Sequence, residues 1–167
     1  IANKKIISIY RGRSEIGKRA LGNRSIIADP RSHDMKSIIN KKVKHRHWYR
    51  PFAPSILREM TSEIFEIDAF SPYMSLAVPV KKEWLDKIPA VCHEDGTSRL
   101  QTVDREFNPR YYDLINAFYK KTGVPLLLNT SFNDNEPIVE TPADAIRCFL
   151  KTDIDYLLME DMLLKKK

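Results

Sequence analysis

The chain has 167 residues and a mass of 19.4 kDa, enough for one hydrophobic core and short for two. With 43% hydrophobic residues, 30% charged residues and only 5 glycines, it falls outside the collagen-like, disordered and disulfide-scaffold classes. Cys92 and Cys148 fit a reducing compartment, and no apolar run approaches the ~20 residues of a membrane span, so a cytoplasmic location with no membrane partner is expected.

Ile1 opens onto a lysine-bearing strand pattern rather than a signal peptide, and the missing initiator methionine reads as a piece cut from a longer chain. The net charge of +6 is unevenly spread. Residues 1–60 hold 15 Lys and Arg against 4 Asp and Glu, a net of +11, while residues 61–167 net −5. A basic half of this kind faces either plain solvent or something anionic: phosphates, a nucleotide or nucleic acid.

In chain order, Lys4 to Tyr10 is β-branched and reads as a strand, and Ser25 to Ala28 is a second, closed by Asp29-Pro30. Met35, Ile38, Ile39 and Val43 share one helical face, leaving Lys36, Lys41, Lys42 and Lys44 for solvent or ligand. Pro51 and Pro54 make Phe52 to Leu57 extended. A short helix over 61–67 and a strand over 74–80 follow, then a loop from Ile88 to Gly96.

The clearest helix runs over 109–121, capped by Asn108, opened by Pro109 and stopped by Gly123, with Tyr111, Leu114, Ile115 and Phe118 facing a core. Val124 to Leu128 is an apolar run suited to a strand covered on both faces. Thr141 caps the next helix, Pro142 opens it, Asp144 lies in its first turn, and Ile146, Phe149 and Leu150 are expected inside. Tyr156 to Met159 and Met162 to Leu164 read as a closing hairpin. Interleaved strands and helices predict a single α/β domain, α+β-like, in two or three layers.

Four constellations carry possible chemistry. Gly12 to Ser25 sets Arg13, Lys18, Arg19 and Arg24 among three glycines that let backbone amides approach an anion, without the order of a Walker or dinucleotide loop. Lys41 to Ser55 interleaves Lys44, Arg46 and Arg50 with Trp48, Tyr49 and Phe52, where the aromatics belong either to the core or to a base-stacking surface. His45 and His47 lack an obvious third ligand, so no metal ligand is assigned. His93 to Val103 offers His93, Thr97, Ser98 and Arg99 around an Asp95-Gly96 turn. The strand 124–128 ends in Asn129, Thr130, Ser131 and Asn133, the end of a sheet strand where α/β proteins bind ligands.

The segments GRSEIGKRALGNRSIIADPR (12–31), VKHRHWYRPFAPSIL (43–57), SPYM (71–74), HEDGTSRLQTV (93–103), TGVPLLLNTSFN (122–133) and EPIVETPADAI (136–146), in this order, resemble the C-terminal domain of the NodU-type O-carbamoyltransferases. The resemblance implies an open, twisted, mixed sheet with flanking helices, YrdC-like, with a concave basic face, normally preceded by an N-terminal ASKHA-type transfer domain absent from residues 1–167. It implies a domain that turns carbamoyl phosphate and ATP, with Mg²⁺, into carbamoyl adenylate for that N-terminal partner, within a full-length protein that could be a homodimer.

On the matching positions, Arg19, Lys44, Arg50 and Arg99 would be catalytic. Arg24, His93 and Thr97 would hold substrate, and Asn129, Thr130, Ser131 and Asn133 would sit at the nucleotide. A non-catalytic YrdC-like module gripping a nucleic-acid backbone is the alternative, and the acceptor stays open.

Overall fold

The computed structural model describes residues 1–68 and 70–166. Its elements in chain order are β1 (Ile7–Tyr10), β2 (Arg24–Ala28), α1 (Met35–Lys42), β3 (Ala53–Leu57), α2 (Thr61–Ile64), β4 (Leu76–Pro79), α3 (Lys82–Leu85), β5 (Thr97–Val103), α4 (Pro109–Thr122), β6 (Leu126–Ser131), α5 (Pro142–Lys151), β7 (Tyr156–Met159) and β8 (Met162–Lys165). The strands form one open mixed sheet of eight, in the order β4-β5-β3-β6-β2-β1-β7-β8. Only β1 with β7 and β3 with β5 run parallel; the other neighbours are antiparallel. The expected α/β class and mixed open sheet are therefore observed.

The central strands are apolar because they are covered. Ile26, Ile27, Ile56, Leu126, Leu127 and Leu128 are all 0% exposed. Helix α4 packs against β3 and β6, and α5 against β1 and β7. The ends of α4 follow local chemistry: Asn108 Oδ1 accepts the Tyr111 N–H, Pro109 needs no partner, and Gly123 at φ 74° lets its N–H return to Tyr119 O at 2.8 Å. Thr141 and Asp144 form a reciprocal capping box at the start of α5.

Three expectations are corrected. Strand β5 lies where only a turn and a polar cluster were read, because three of its residues, Ser98, Gln101 and Thr102, are polar yet buried and bonded internally. Hydropathy does not alternate along a strand that buries polar and apolar residues together, as Ser98 and Thr102 flank the fully buried Leu100 on one face. On α5 the inward residues are Ala145, Cys148 and Phe149, while Ile146 and Leu150 are exposed, so the buried face is rotated toward the smaller side chains that fit against β1 and β7. Phe52 is core, but Trp48 is 66% exposed.

Candidate functional site

One cavity of about 290 Å³ opens over three neighbouring strands, at the start of β3 (Ala53), at Arg99 of β5, and at the end of β6 (Asn129, Thr130, Ser131). Two loops close over it. The segment between β1 and β2 brings Lys18, Arg19 and Ala20, and the segment after α1 brings Arg46, Arg50, Pro51 and Phe52. Among the described residues that line it, five are cationic and none is acidic, and none of the five cations is in an ion pair. Cations separated by up to 81 positions, Lys18 and Arg99, thus meet in one place.

The convergence is unfavourable in itself. Burial and then Arg19 hold the Arg99 guanidinium below its ordinary value, and burial and then Arg50 push Arg46 down to about 10. Like charges gathered without a counter-charge repel, the more so the less water screens them. Such a lining is complementary in charge to an anion.

Buried and half-buried hydrogen bonds hold the first of these loops in place. Glu15 Oε1 accepts from the N–H groups of Leu21 (2.8 Å) and Asn23 (2.7 Å), tying off the first loop. Asn129 Nδ2 donates to Ala20 O at 3.0 Å and Gln101 Nε2 to Leu21 O at 2.9 Å, so side chains on β6 and β5 position the backbone that carries Arg19. Gly22, at φ +124°, presses this loop against α4; a Cβ there would sit 2.6 Å from Tyr111 Cδ1.

The expected residues divide into three groups. Arg19, Arg50, Arg99, Asn129, Thr130 and Ser131 come together on the cavity lining. Lys44 and Asn133 are not on this lining: Lys44 is 2% exposed, and its Nζ donates to Asn133 O (3.0 Å), Asn133 Oδ1 (2.7 Å) and the carbonyl and hydroxyl of Ser131. Burial, with Arg46 and Arg50 adding to it, pushes Lys44 down to about 7. Asn133 also lines an adjoining cavity of about 470 Å³, which shares Lys18 and Ser131 with the first.

Arg24, His93 and Thr97 lie off both linings. The Arg24 guanidinium stacks 3.7 Å over Tyr10 and donates to the carbonyls of Arg11, Gly12 and Asn23, which makes it the base of the glycine loop. Thr97 donates to Asp95 Oδ1 at 2.7 Å and bonds His93 Nδ1 at 3.0 Å, so the two close the turn into β5. Burial lowers the His93 pKa.

Lys18 and Arg46 line the cavity without having been assigned to it. Both belong to the basic clusters visible in the sequence, but which basic side chain turns inward depends on the loop anchors. His45 pairs with Asp134 at 2.9 Å, and among the described residues no three His, Cys, Asp or Glu side chains are placed to hold a metal. No helix among the described residues is long and apolar enough to cross a membrane.

A cavity walled by arginines lies at strand ends of a mixed α/β domain, and the sequence assigns that domain further. The chain belongs to the Carbamoyltransferase C-terminus family, whose model matches residues 1–166. It is 53% identical over 171 residues to nodulation protein NolNO of Sinorhizobium fredii, covering 100% of this chain and 25% of that protein. It is 52% identical to nodulation protein NolO of Bradyrhizobium diazoefficiens, covering 100% of this chain and 31% of that protein. With nodulation protein U of Rhizobium tropici it shares 44% identity over 133 residues, 80% of this chain and 23% of that protein. The chain thus spans between a quarter and a third of the length of NolNO and NolO.

Proposed function

We propose that this domain binds carbamoyl phosphate and ATP together and joins them into carbamoyl adenylate, which the remainder of a longer protein uses to carbamoylate an acceptor. The observation that carries the reading is the cavity in which Lys18, Arg19, Arg46, Arg50 and Arg99 converge without an acidic neighbour among the described lining. Two polyanions repel each other strongly, and a set of fixed cationic forks is what brings them into contact.

The chemistry balances with one water. Water opens carbamoyl phosphate to carbamate and phosphate; a carbamate oxygen then attacks the α-phosphorus of ATP, and pyrophosphate leaves with the electron pair of the broken P–O bond. In this reading the arginines hold the phosphoryl oxygens and the departing anions, and Ser131 and Asn133 face the nucleotide. Lys44 keeps the Ser131–Asn133 turn in shape. No nucleophilic side chain is needed, because positioning and charge do the work. The described lining of the first cavity has the Thr130 and Ser131 hydroxyls and the Asn129 amide but no carboxylate, so a Mg²⁺ would be carried chiefly by the phosphates of the nucleotide, and no step here runs through one.

The test is carbamoyl-phosphate-dependent exchange of pyrophosphate into ATP. Arg99→Ala and Arg50→Ala should each lower exchange by about a hundredfold while leaving the circular dichroism unchanged. Full exchange in both variants would refute the assignment. A nucleic-acid grip is the second reading, favoured by the exposed rings of Trp48 (66%) and Tyr49 (53%) beside Arg46 and Arg50. It predicts oligonucleotide affinity that falls with salt at a log-log slope of about 0.7 per phosphate contacted.

A further inference from the structure

Asn40 is an amide inside an otherwise apolar helix face. It lies on α1 next to Ile39 and is 0% exposed. A buried amide is tolerated only where its hydrogen bonds are made. Every polar atom of this side chain is spent on the loop that walls the anion cavity. Nδ2 donates to Trp48 O and to Arg50 O, both at 2.9 Å, and Oδ1 accepts from Arg46 Nε at 2.7 Å. Its backbone carbonyl takes the Arg46 N–H at 3.0 Å, a return made possible by the left-handed turn at His45 (φ 45°).

Arg46 is held on a second side, its guanidinium lying 5.0 Å over the Phe52 ring. With Nε engaged and the plane supported, its two terminal nitrogens are the ones left for a ligand.

We propose that Asn40 is the positioning residue of the anion cavity, its side-chain amide fixing Arg46 and Arg50 relative to each other so that both forks face one ligand before it arrives. Arg46 and Arg50 are like charges on one short loop and would relax apart if the tether were cut. Asparagine suits the place because it supplies two donors and one acceptor within a single planar group. Aspartate would turn a carboxylate toward two carbonyls, and leucine would leave both carbonyls and the guanidinium unbonded. Preorganised donors bind more tightly because their ordering cost has already been met.

The effect on binding rests on the anion reading above, so the test has one arm without ligand. In the ¹⁵N-labelled chain, the Arg46 Nε–H should exchange slowly with solvent, and in Asn40→Leu about tenfold faster, because the closed form that protects it is lost. By titration calorimetry, inorganic pyrophosphate should bind Asn40→Leu about tenfold more weakly than the unsubstituted chain, the loss expected when a charge-assisted fork is no longer held. Met35→Ala, a core truncation on the same helix, should leave both readouts in place although it lowers stability. Asn40→Ala, which removes the same three side-chain bonds without setting a branched apolar group against the two carbonyls, takes the place of the leucine variant if that one fails to fold.

Equal exchange of the Arg46 Nε–H in the unsubstituted chain and the variant overturns the proposal. So does unchanged pyrophosphate affinity in Asn40→Leu. If the unsubstituted chain does not bind pyrophosphate, the anion reading falls, and the exchange arm still decides whether Asn40 holds Arg46.

Discussion

Replacing Lys44 by methionine tests the electrostatics of the cavity most directly. Its Nζ is enclosed by Ser131 and Asn133. The charged groups felt there are Arg46 and Arg50, which disfavour the ammonium, and Asp134 and the Cys148 side chain, which favour it. Burial dominates, and the drop from the ordinary 10.5 to about 7 corresponds to roughly 5 kcal/mol against the charged form.

Between pH 7 and 10.5 the unfolded chain keeps the Lys44 proton that the folded chain gives up. Native stability therefore rises with pH across this window, and the penalty is full below pH 7. Methionine abolishes that dependence. It also strips the donor from Ser131 O and Asn133 O at about 1–3 kcal/mol each, while Asn133 Oδ1 keeps the Ser131 hydroxyl at 2.7 Å.

The two effects nearly cancel at pH 6.5, where the variant should be about as stable as the unsubstituted chain. By pH 9 it should have fallen behind by a further 2–3 kcal/mol or so, at up to ~1.4 kcal/mol per pH unit. Urea unfolding at several pH values measures this, and parallel stability curves would refute the reasoning. The same lysine should respond to ligand. Pyrophosphate that neutralises Arg46 and Arg50 should raise its pKa, so binding at pH 7.5 should take up protons in the unsubstituted chain but less in Lys44→Met, as read by calorimetry in buffers of different ionisation heat.

Gly22→Ala should destabilise by about 2–6 kcal/mol, because a left-handed backbone and an overpacked Tyr111 each cost about 1–3 kcal/mol; an unmoved urea midpoint would contradict this. Asn129→Leu removes the bonds to Ala20 O, Ser55 Oγ and Gln101 Oε1, and should cost about 2–4 kcal/mol by leaving buried acceptors unpaired. It should also weaken pyrophosphate binding by about tenfold through release of the Arg19 loop. Lost affinity at full stability would instead make Asn129 a direct ligand contact.

Much of the chain could be read locally because local physics decided it. The 109–121 helix, its Asn108 cap and its Gly123 stop follow from hydrogen-bond needs within a few residues, as do Pro142 and the Thr141–Asp144 box. The basic clusters and the polar end of β6 were equally visible, since charge and strand termination are sequence properties. Strand β5 was not, because Ser98, Gln101 and Thr102 are inside by virtue of partners on distant segments: Val91 O, Ser55 Oγ and the Ser71 N–H. The buried face of α5 was missed for a related reason. Periodicity gives the hydrophobic stripe, but the surface it meets decides which edge of the stripe is buried.

The order of residues alone determined where the cations lie along the chain, which segments are extended or helical, and which family the pattern belongs to. Tertiary structure decided which of those cations share a space. Arg24 is consumed by backbone carbonyls, Lys44 is enclosed beneath a turn, and Lys18, Arg19, Arg46, Arg50 and Arg99 line one cavity. The reason is physical. A charged side chain is placed by the hydrogen bonds that anchor its backbone, and here the anchors Asn40, Gln101 and Asn129 lie on elements that meet the loops only once the sheet has closed.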